Sequence, residues 1–291
     1  MTGVAALAVF DFGPSGAAAG YRLVDPSQPQ LSVLELAATR GDGVFETVGL
    51  VGGRPLKLGR HLARLEQSAR MLDLPEQDVA VWASALHDVA AALDPAVESY
   101  VKLVLSRGVE GGSAPTGWAY GQGHASFADV QREGLRVVLL DRGYRHDVAH
   151  TAPWLLQGAK TLSYAVNRAA YREAARRDAD DVVFVSSDGY LLEGPTSTLV
   201  LRSGRSLRTS RTDLGILAGT TQAELFAWAS AEGYTTSYDL LTPADLAAAD
   251  AAWLVSSVRL AAPVRAIDGV ATTVDAELTT RFNEHLRGLT A

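Results

Sequence analysis

Two periodicities run along this chain. Over residues 60–74, Leu62, Leu65, Ala69 and Leu72 recur every three or four positions, which places them on one side of a helix. Helices are likewise expected over residues 79–93, 221–233 and 275–289. Another is expected over the alanine-rich stretch 163–177, where Ser163 offers a hydroxyl for the N-cap. The second pattern consists of short runs dense in Val and Leu, over residues 100–105, 135–140, 181–185, 198–201 and 253–256, and it predicts strands. Ser106, Arg107 and Gly108 end the first of these runs. Ahead of residue 60, short apolar runs alternate with glycine-rich turns. Strands thus fill the middle of each half with helices outside them, which is a two-domain α/β or α+β arrangement.

Residues 108–134 are rich in Gly, Ser and polar residues and poor in periodicity, so the domain boundary is expected near residues 121–131. The expected division is residues 1–122, a linker over 123–134, and residues 135–291. No internal repeat or low-complexity tract interrupts it. A length of 291 residues, 47% of them hydrophobic and 20% charged, is enough to build a substantial core. The formal charge of -7 excludes the basic footprint of a nucleic-acid binder. The absence of cysteine removes disulfides, thiolate nucleophiles and thiolate-bound zinc from consideration. The apolar stretch Val4 to Phe10 is broken by Asp11 and Gly13 and lacks a basic flank, so it does not read as a signal peptide. No window reaches the roughly 18 uninterrupted apolar residues of a membrane span. A cytoplasmic protein with no membrane or nucleic-acid partner is expected.

Familiar motifs are missing: there is no Walker A sequence, no GxGxxG opening a helix, no HExxH and no GxSxG. The six histidines are scattered without metal-ligand spacing, so no metal is expected. Only three lysines, Lys57, Lys102 and Lys160, stand among the 26 basic residues, the mark of an arginine-favouring genome. Lys160 is expected at a strand-to-helix junction between small and apolar flanks, Gly158-Ala159 and Thr161-Leu162. Partial desolvation there disfavours the ammonium and frees an amine for Schiff-base chemistry; the plainer reading is a solvent-facing lysine, the commoner kind. Residues 188–198 form a hairpin-like turn that leads to Glu193 before Gly194. A carboxylate so placed either keeps a ring nitrogen protonated or is a solvated turn residue. Residues 215–222 run from a glycine loop into a helix, either a phosphate-binding N-terminus or an ordinary cap. Ser256 and Ser257 end an apolar strand, giving hydroxyl and amide donors or simply a polar strand end.

Taken in order, these segments resemble the fold-type IV pyridoxal-phosphate enzymes, which include branched-chain aminotransferases, D-amino acid transaminases and aminodeoxychorismate lyases. The similarity runs over nearly the whole chain. It includes Arg40-Gly41-Asp42-Gly43-Val44-Phe45-Glu46-Thr47 and His61-Leu62-Ala63-Arg64-Leu65, then Lys160, Glu193-Gly194, Gly219-Thr220-Thr221 and Pro263-Val264. The resemblance implies a small N-terminal α/β domain and a larger C-terminal pseudo-barrel domain that binds pyridoxal 5'-phosphate. Lys160 is implied to hold the cofactor aldehyde covalently and to shuttle protons at the substrate carbon. Glu193 is implied to face the pyridine nitrogen. Arg64, expected on the helix face opposite Leu62 and Leu65, is implied to pair the phosphate, or else to be a surface charge. Thr198, Thr220, Thr221, Ser256 and Ser257 are the implied remaining donors, with Gly219 letting backbone approach the anion. Tyr164 is implied either to donate to the ring hydroxyl or to pack against the sheet.

Among the members, Val101-Lys102-Leu103-Val104-Leu105-Ser106-Arg107-Gly108 followed by Gly111-Gly112 is similar to the lyases. The Arg-x-His carboxylate trap of D-amino acid transaminases is absent from Val109 to Ala114, and the Gly-Gly-Asn-Tyr run of branched-chain enzymes is replaced by Thr161-Leu162-Ser163-Tyr164. The implied reaction is therefore conversion of 4-amino-4-deoxychorismate to 4-aminobenzoate and pyruvate in folate biosynthesis. The alternative is a D-amino acid or amine aminotransferase of the same fold; a non-catalytic relative would make Lys160, Glu193 and Arg64 coincidental. The substrate is an amine bearing carboxylates, for which Arg107 and Arg259 are the expected clamps, each equally readable as a salt-bridge residue. A homodimer is implied.

Overall fold

The computed structural model describes residues 5–290. Two compact units emerge: one is drawn from Met1–Ser126, Ala159–Tyr164 and Leu289–Ala291, the other from Phe127–Gly158 and Ala165–Gly288.

The first unit contains β1 (Ala6–Phe12), β2 (Ala18–Val24), the short helix α1 (Leu36–Thr39), β3 (Gly43–Val51), β4 (Arg54–Pro55), α2 (Leu58–Met71), α3 (Val79–Ala91), β5 (Ser99–Ser106) and β6 (Thr116–Gly123). Its six strands pair antiparallel throughout, in the order β2-β1-β6-β5-β3-β4. Side chains alternate across such a sheet, so Val44, Glu46 and Val48 of β3 share a face. Together with Val101, Leu103 and Leu105 of β5 they are fully buried. Helices α2 and α3 supply the opposing layer, with Trp82 of α3 stacked on Phe10 of β1 at 4.0 Å between ring centroids. Residues 159–164 add a short extended piece at the start of β3, where Thr161 bridges Val44 and the Leu162 N–H donates to the Gly43 carbonyl at 2.8 Å.

The second unit contains α4 (Ala128–Glu133), β7 (Leu135–Asp141), α5 (Val148–Thr151), α6 (Ala165–Arg176), β8 (Asp181–Val185), β9 (Thr198–Ser203), β10 (Ser206–Ser210), α7 (Thr220–Ala231), β11 (Thr235–Asp239), α8 (Pro243–Ala247), β12 (Ala251–Ser256), β13 (Leu260–Ile267), β14 (Val270–Ala271) and α9 (Ala276–Arg287). Its eight-stranded sheet is mixed, in the order β11-β10-β9-β12-β13-β7-β8, with β14 paired to β13. The β10–β11, β13–β7 and β7–β8 pairs are parallel and the rest antiparallel. One core lies among Leu135, Val137, Leu199, Leu201, Leu254 and Val264; another joins Val138, Val182 and Phe184 to Ala170 and Ala174 of α6.

Three sequence expectations need correction. Residues 108–134 hold both β6 and α4. Their strand pattern is hidden because Gly117 and Gly121 occupy core positions, where a Cβ would meet Phe12 at 2.9 Å and Val89 at 2.7 Å. Ser163 does not cap α6, which begins at Ala165; its hydroxyl donates to the Gly41 carbonyl at 3.2 Å. The segment before Lys160 is no strand but a 3-10 turn over Pro153–Leu155.

Candidate active site

In the first unit, the backbone of Lys160 is gripped from two sides. Its carbonyl accepts from the Phe45 N–H at 3.0 Å, and its own N–H donates to Ser68 Oγ of α2 at 3.1 Å. The Lys160 Nζ lies 4.6 Å from the centroid of the Phe45 ring, and Tyr164 meets that ring edge-on at 5.4 Å. Tyr164 thus packs against Phe45 of β3. Lys102 faces Thr47 across the β3–β5 ladder, on the side that Phe45 also occupies, and its Nζ is 5.4 Å from the same ring. Burial lowers the pKa of Lys102.

Arg64 does not point away from the core. Its Nε donates to Glu46 Oε1 at 2.6 Å and its Nη2 to Oε2 at 2.8 Å, with only 10% of the side chain exposed. His61 Nδ1 lies 2.8 Å from the same Oε2. Burial alone would raise the Glu46 pKa, but the Arg64 charge and the hydrogen bonds from Arg64 and His61 outweigh it and hold the carboxyl down to about 2. Burial lowers the pKa of His61, and the Arg64 and Lys160 charges lower it further against the pull of Glu46. His61 is therefore neutral, with its Nδ1 proton directed at the carboxylate.

In the second unit, Glu193 closes a hairpin with β8: the Phe184 N–H donates to the Glu193 carbonyl at 2.9 Å, and Val185 bridges Leu191. Glu193 Oε1 accepts the Leu217 N–H at 3.1 Å, which ties the carboxylate to the loop entering α7. Gly219 is the N-cap residue of α7 and makes no side-chain cap, and the helix opens with Thr220 and Thr221. A Cβ on Gly219 would stand 2.4 Å from Thr198 Oγ1. Thr198 is paired with Val255, next to Ser256, so Thr198, Gly219 and Ser256 gather at one end of the β9–β12 pair. Ser257 follows in the turn to β13.

Both expected substrate arginines already have partners in their own units, the salt-bridge role that the sequence left open. Arg107 Nε donates to Asp42 at 2.8 Å, and its other nitrogens reach the Leu72 and Asp73 carbonyls at the end of α2. Arg259 Nη1 pairs with the fully buried Asp181 at 2.7 Å. The Arg259 N–H donates to Ser256 Oγ at 3.3 Å, and its carbonyl accepts from Gln131 at 2.9 Å. The Ser256–Arg259 turn is thereby fixed, and Leu260 is held at a φ of 59° just beyond it.

Sequence reasoning quoted Phe45, Glu46 and His61 without assigning them a role, and passed over Ser68. A carboxylate at a core position of the β3 alternation, with a histidine on the apolar face of the facing helix, was the available signal for Glu46 and His61. The hydroxyl of Ser68 gives no such sign.

The donor set suits pyridoxal phosphate. The first unit offers an amine beside an aromatic ring; the second offers a carboxylate fixed by a backbone amide and a helix start whose N-cap glycine has no room for a side chain. Among the described residues no group of three potential ligands stands ready for a metal ion, and no helix is long and apolar enough to cross a membrane.

Comparison with known proteins agrees with that chemistry. The model of the family described as amino-transferase class IV matches residues 43–267. A bifunctional aminodeoxychorismate lyase / D-amino acid transaminase of Mycobacterium tuberculosis is 45% identical over 258 residues, covering 85% of this chain and 89% of that protein. A fold IV transaminase from Curtobacterium pusillum superposes with a TM-score of 0.93 at 49% identity, over 98% of this chain and 97% of the other. The PLP-bound form of a hypothetical aminotransferase from Mycobacterium tuberculosis gives a TM-score of 0.87 at 44% identity, over 93% and 96%.

Proposed function

The chain belongs to the class IV aminotransferases, which depend on pyridoxal phosphate, and from that membership we propose that it is an aminodeoxychorismate lyase, releasing 4-aminobenzoate and pyruvate. The placement of Lys160 carries the reading: its backbone is fixed by Ser68 and Phe45 while its amine stands over an aromatic ring. When bound, the cofactor supplies an electron sink for charge that develops at the substrate carbon. Lys160 holds the cofactor aldehyde and moves the proton at the substrate carbon next to nitrogen. Glu193 holds a proton at the pyridine nitrogen. Arg64, Thr198, Thr220, Thr221, Ser256 and Ser257 bind the phosphate, with Gly219 giving the anion access to the α7 amides.

Support for the lyase over a dedicated D-transaminase comes from Val109 to Ala114, which carries no Arg-x-His pair to trap a carboxylate. A second reading, transamination of D-amino acids, is favoured by the two names that the 45% identical relative carries and by the transaminase at 49% identity. The two are separated on the cofactor-loaded enzyme. Fluorescent 4-aminobenzoate released from aminodeoxychorismate establishes the lyase; passage of the cofactor spectrum to the pyridoxamine form on mixing with D-alanine, without that fluorescence, replaces it by the transaminase. Lys160→Ala should abolish both signals and the yellow colour that borohydride fixes to the protein.

A further inference from the structure

Glu46 is fully buried and yet is given no task by the reading above. It stands at a core position of β3, between Val44 and Val48, where an apolar side chain would have satisfied the sheet. Burying a carboxylate there is expensive unless its partners are exact in geometry, because the charge gives up its hydration. The partners meet that demand. Arg64 engages both carboxylate oxygens, through Nε at 2.6 Å and Nη2 at 2.8 Å, and His61 adds a bond to Oε2.

We infer that Glu46 is the positioning residue of the phosphate-binding arginine: by engaging Nε and Nη2 together it fixes the plane of the Arg64 guanidinium, and with it the direction in which that group meets the cofactor's phosphate. This rests on the reading that Arg64 pairs that phosphate. An arginine side chain at a helix surface explores many rotamers, and ordering it upon ligand binding weakens affinity. A two-point carboxylate clamp removes that freedom beforehand, and the planar fork of arginine transmits the orientation from one edge to the other. His61, three residues before Arg64 on α2, holds the carboxylate in turn. Because His61 is neutral, it does so without adding a second positive charge. The Glu46–Arg64 pair is electrically balanced, so what Glu46 supplies to the anion is direction rather than field.

The inference is tested on apoprotein titrated separately with pyridoxal phosphate and with pyridoxal, which lacks the phosphate, following the absorbance of the lysine-bound aldehyde. In the parent protein, pyridoxal phosphate should bind far more tightly than pyridoxal, and borohydride should fix it to Lys160; failure of either result overturns the functional reading itself. Arg64→Ala should erase most of the preference for the phosphorylated form, and if it does not, Arg64 is not the phosphate residue. Glu46→Gln preserves shape but not the clamp, and should weaken pyridoxal phosphate about tenfold while leaving pyridoxal unchanged. Equal weakening of both ligands would mean that Glu46 merely supports the fold, and no change, or tighter phosphate binding, would mean that orientation is not its role. Should Glu46→Gln fail to fold, Glu46→Asp retains the charge and withdraws it by one methylene. The same phosphate-specific loss is then expected, and its absence overturns the inference.

Discussion

At the scale of single residues, the buried Glu46, His61 and Arg64 give the protein a definite response to acid. The folded-state pKa of His61 lies below its ordinary 6.5, so the native state refuses a proton that the unfolded chain accepts. Stability from this group is full above about 6.5 and is lost as the pH falls below it, by up to roughly 1.4 kcal/mol per pH unit. Glu46, held at about 2 against an ordinary 4.5, adds a second loss as the pH falls from 4.5 toward 2. Urea midpoints measured at pH 7.5 and 5.5 should drop for the parent protein. They should drop by less for His61→Asn, whose amide can still donate to Glu46 without taking up a proton. Legibility at this scale was uneven. Lys160 and Glu193 stand out in sequence because their neighbours are small and their spacing is distinctive. The orientation of Arg64 was not readable, since a charged residue one position from an apolar stripe looks like a surface residue until the carboxylate buried opposite it is seen. Arg107 and Arg259 were ambiguous for a related reason, as their partners Asp42 and Asp181 lie 65 and 78 positions away along the chain.

Helix ends dominate the element scale. After α6, the Ala179 N–H donates to the Ala174 carbonyl at 2.9 Å and the Asp178 N–H to the Ala175 carbonyl at 3.2 Å, a closing pattern that places Asp178 in the left-handed region at a φ of 54°. Asp178→Gly should therefore raise stability by about 1 kcal/mol, readable as a small rise in Tm by calorimetry. Helix α2 ends the same way through Asp73 and Leu74, and there Arg107 sets its cation on the terminal carbonyls, where the helix dipole favours it. Most helices were readable from the spacing of their apolar faces, and the strand over 181–185 was readable to the residue. The strands before residue 60 and β6 were not. Glycine inside a strand erases the alternation, and at Gly117 and Gly121 it is there to admit Trp82 and Val89 from the layer above.

Considered whole, the molecule is built from two sheets of different character, one purely antiparallel and one mixed. The first unit is not a continuous piece of chain: residues 159–164 add to the start of β3, and Thr290 bridges Leu56. A fragment ending at Ser126 should consequently be less stable than the same unit in the full protein, a difference measurable as faster hydrogen exchange at Val44, Phe45 and Leu56. Nothing in the local pattern announced this, because pairing across more than a hundred positions leaves no periodic trace. The consequence reaches into biosynthesis. When the ribosome has released the first 126 residues, the nascent sheet still lacks the extension that carries Lys160. Pairing at the start of β3 has to wait until Lys160 and Thr161 have left the exit tunnel, and pairing at Leu56 until Thr290 has.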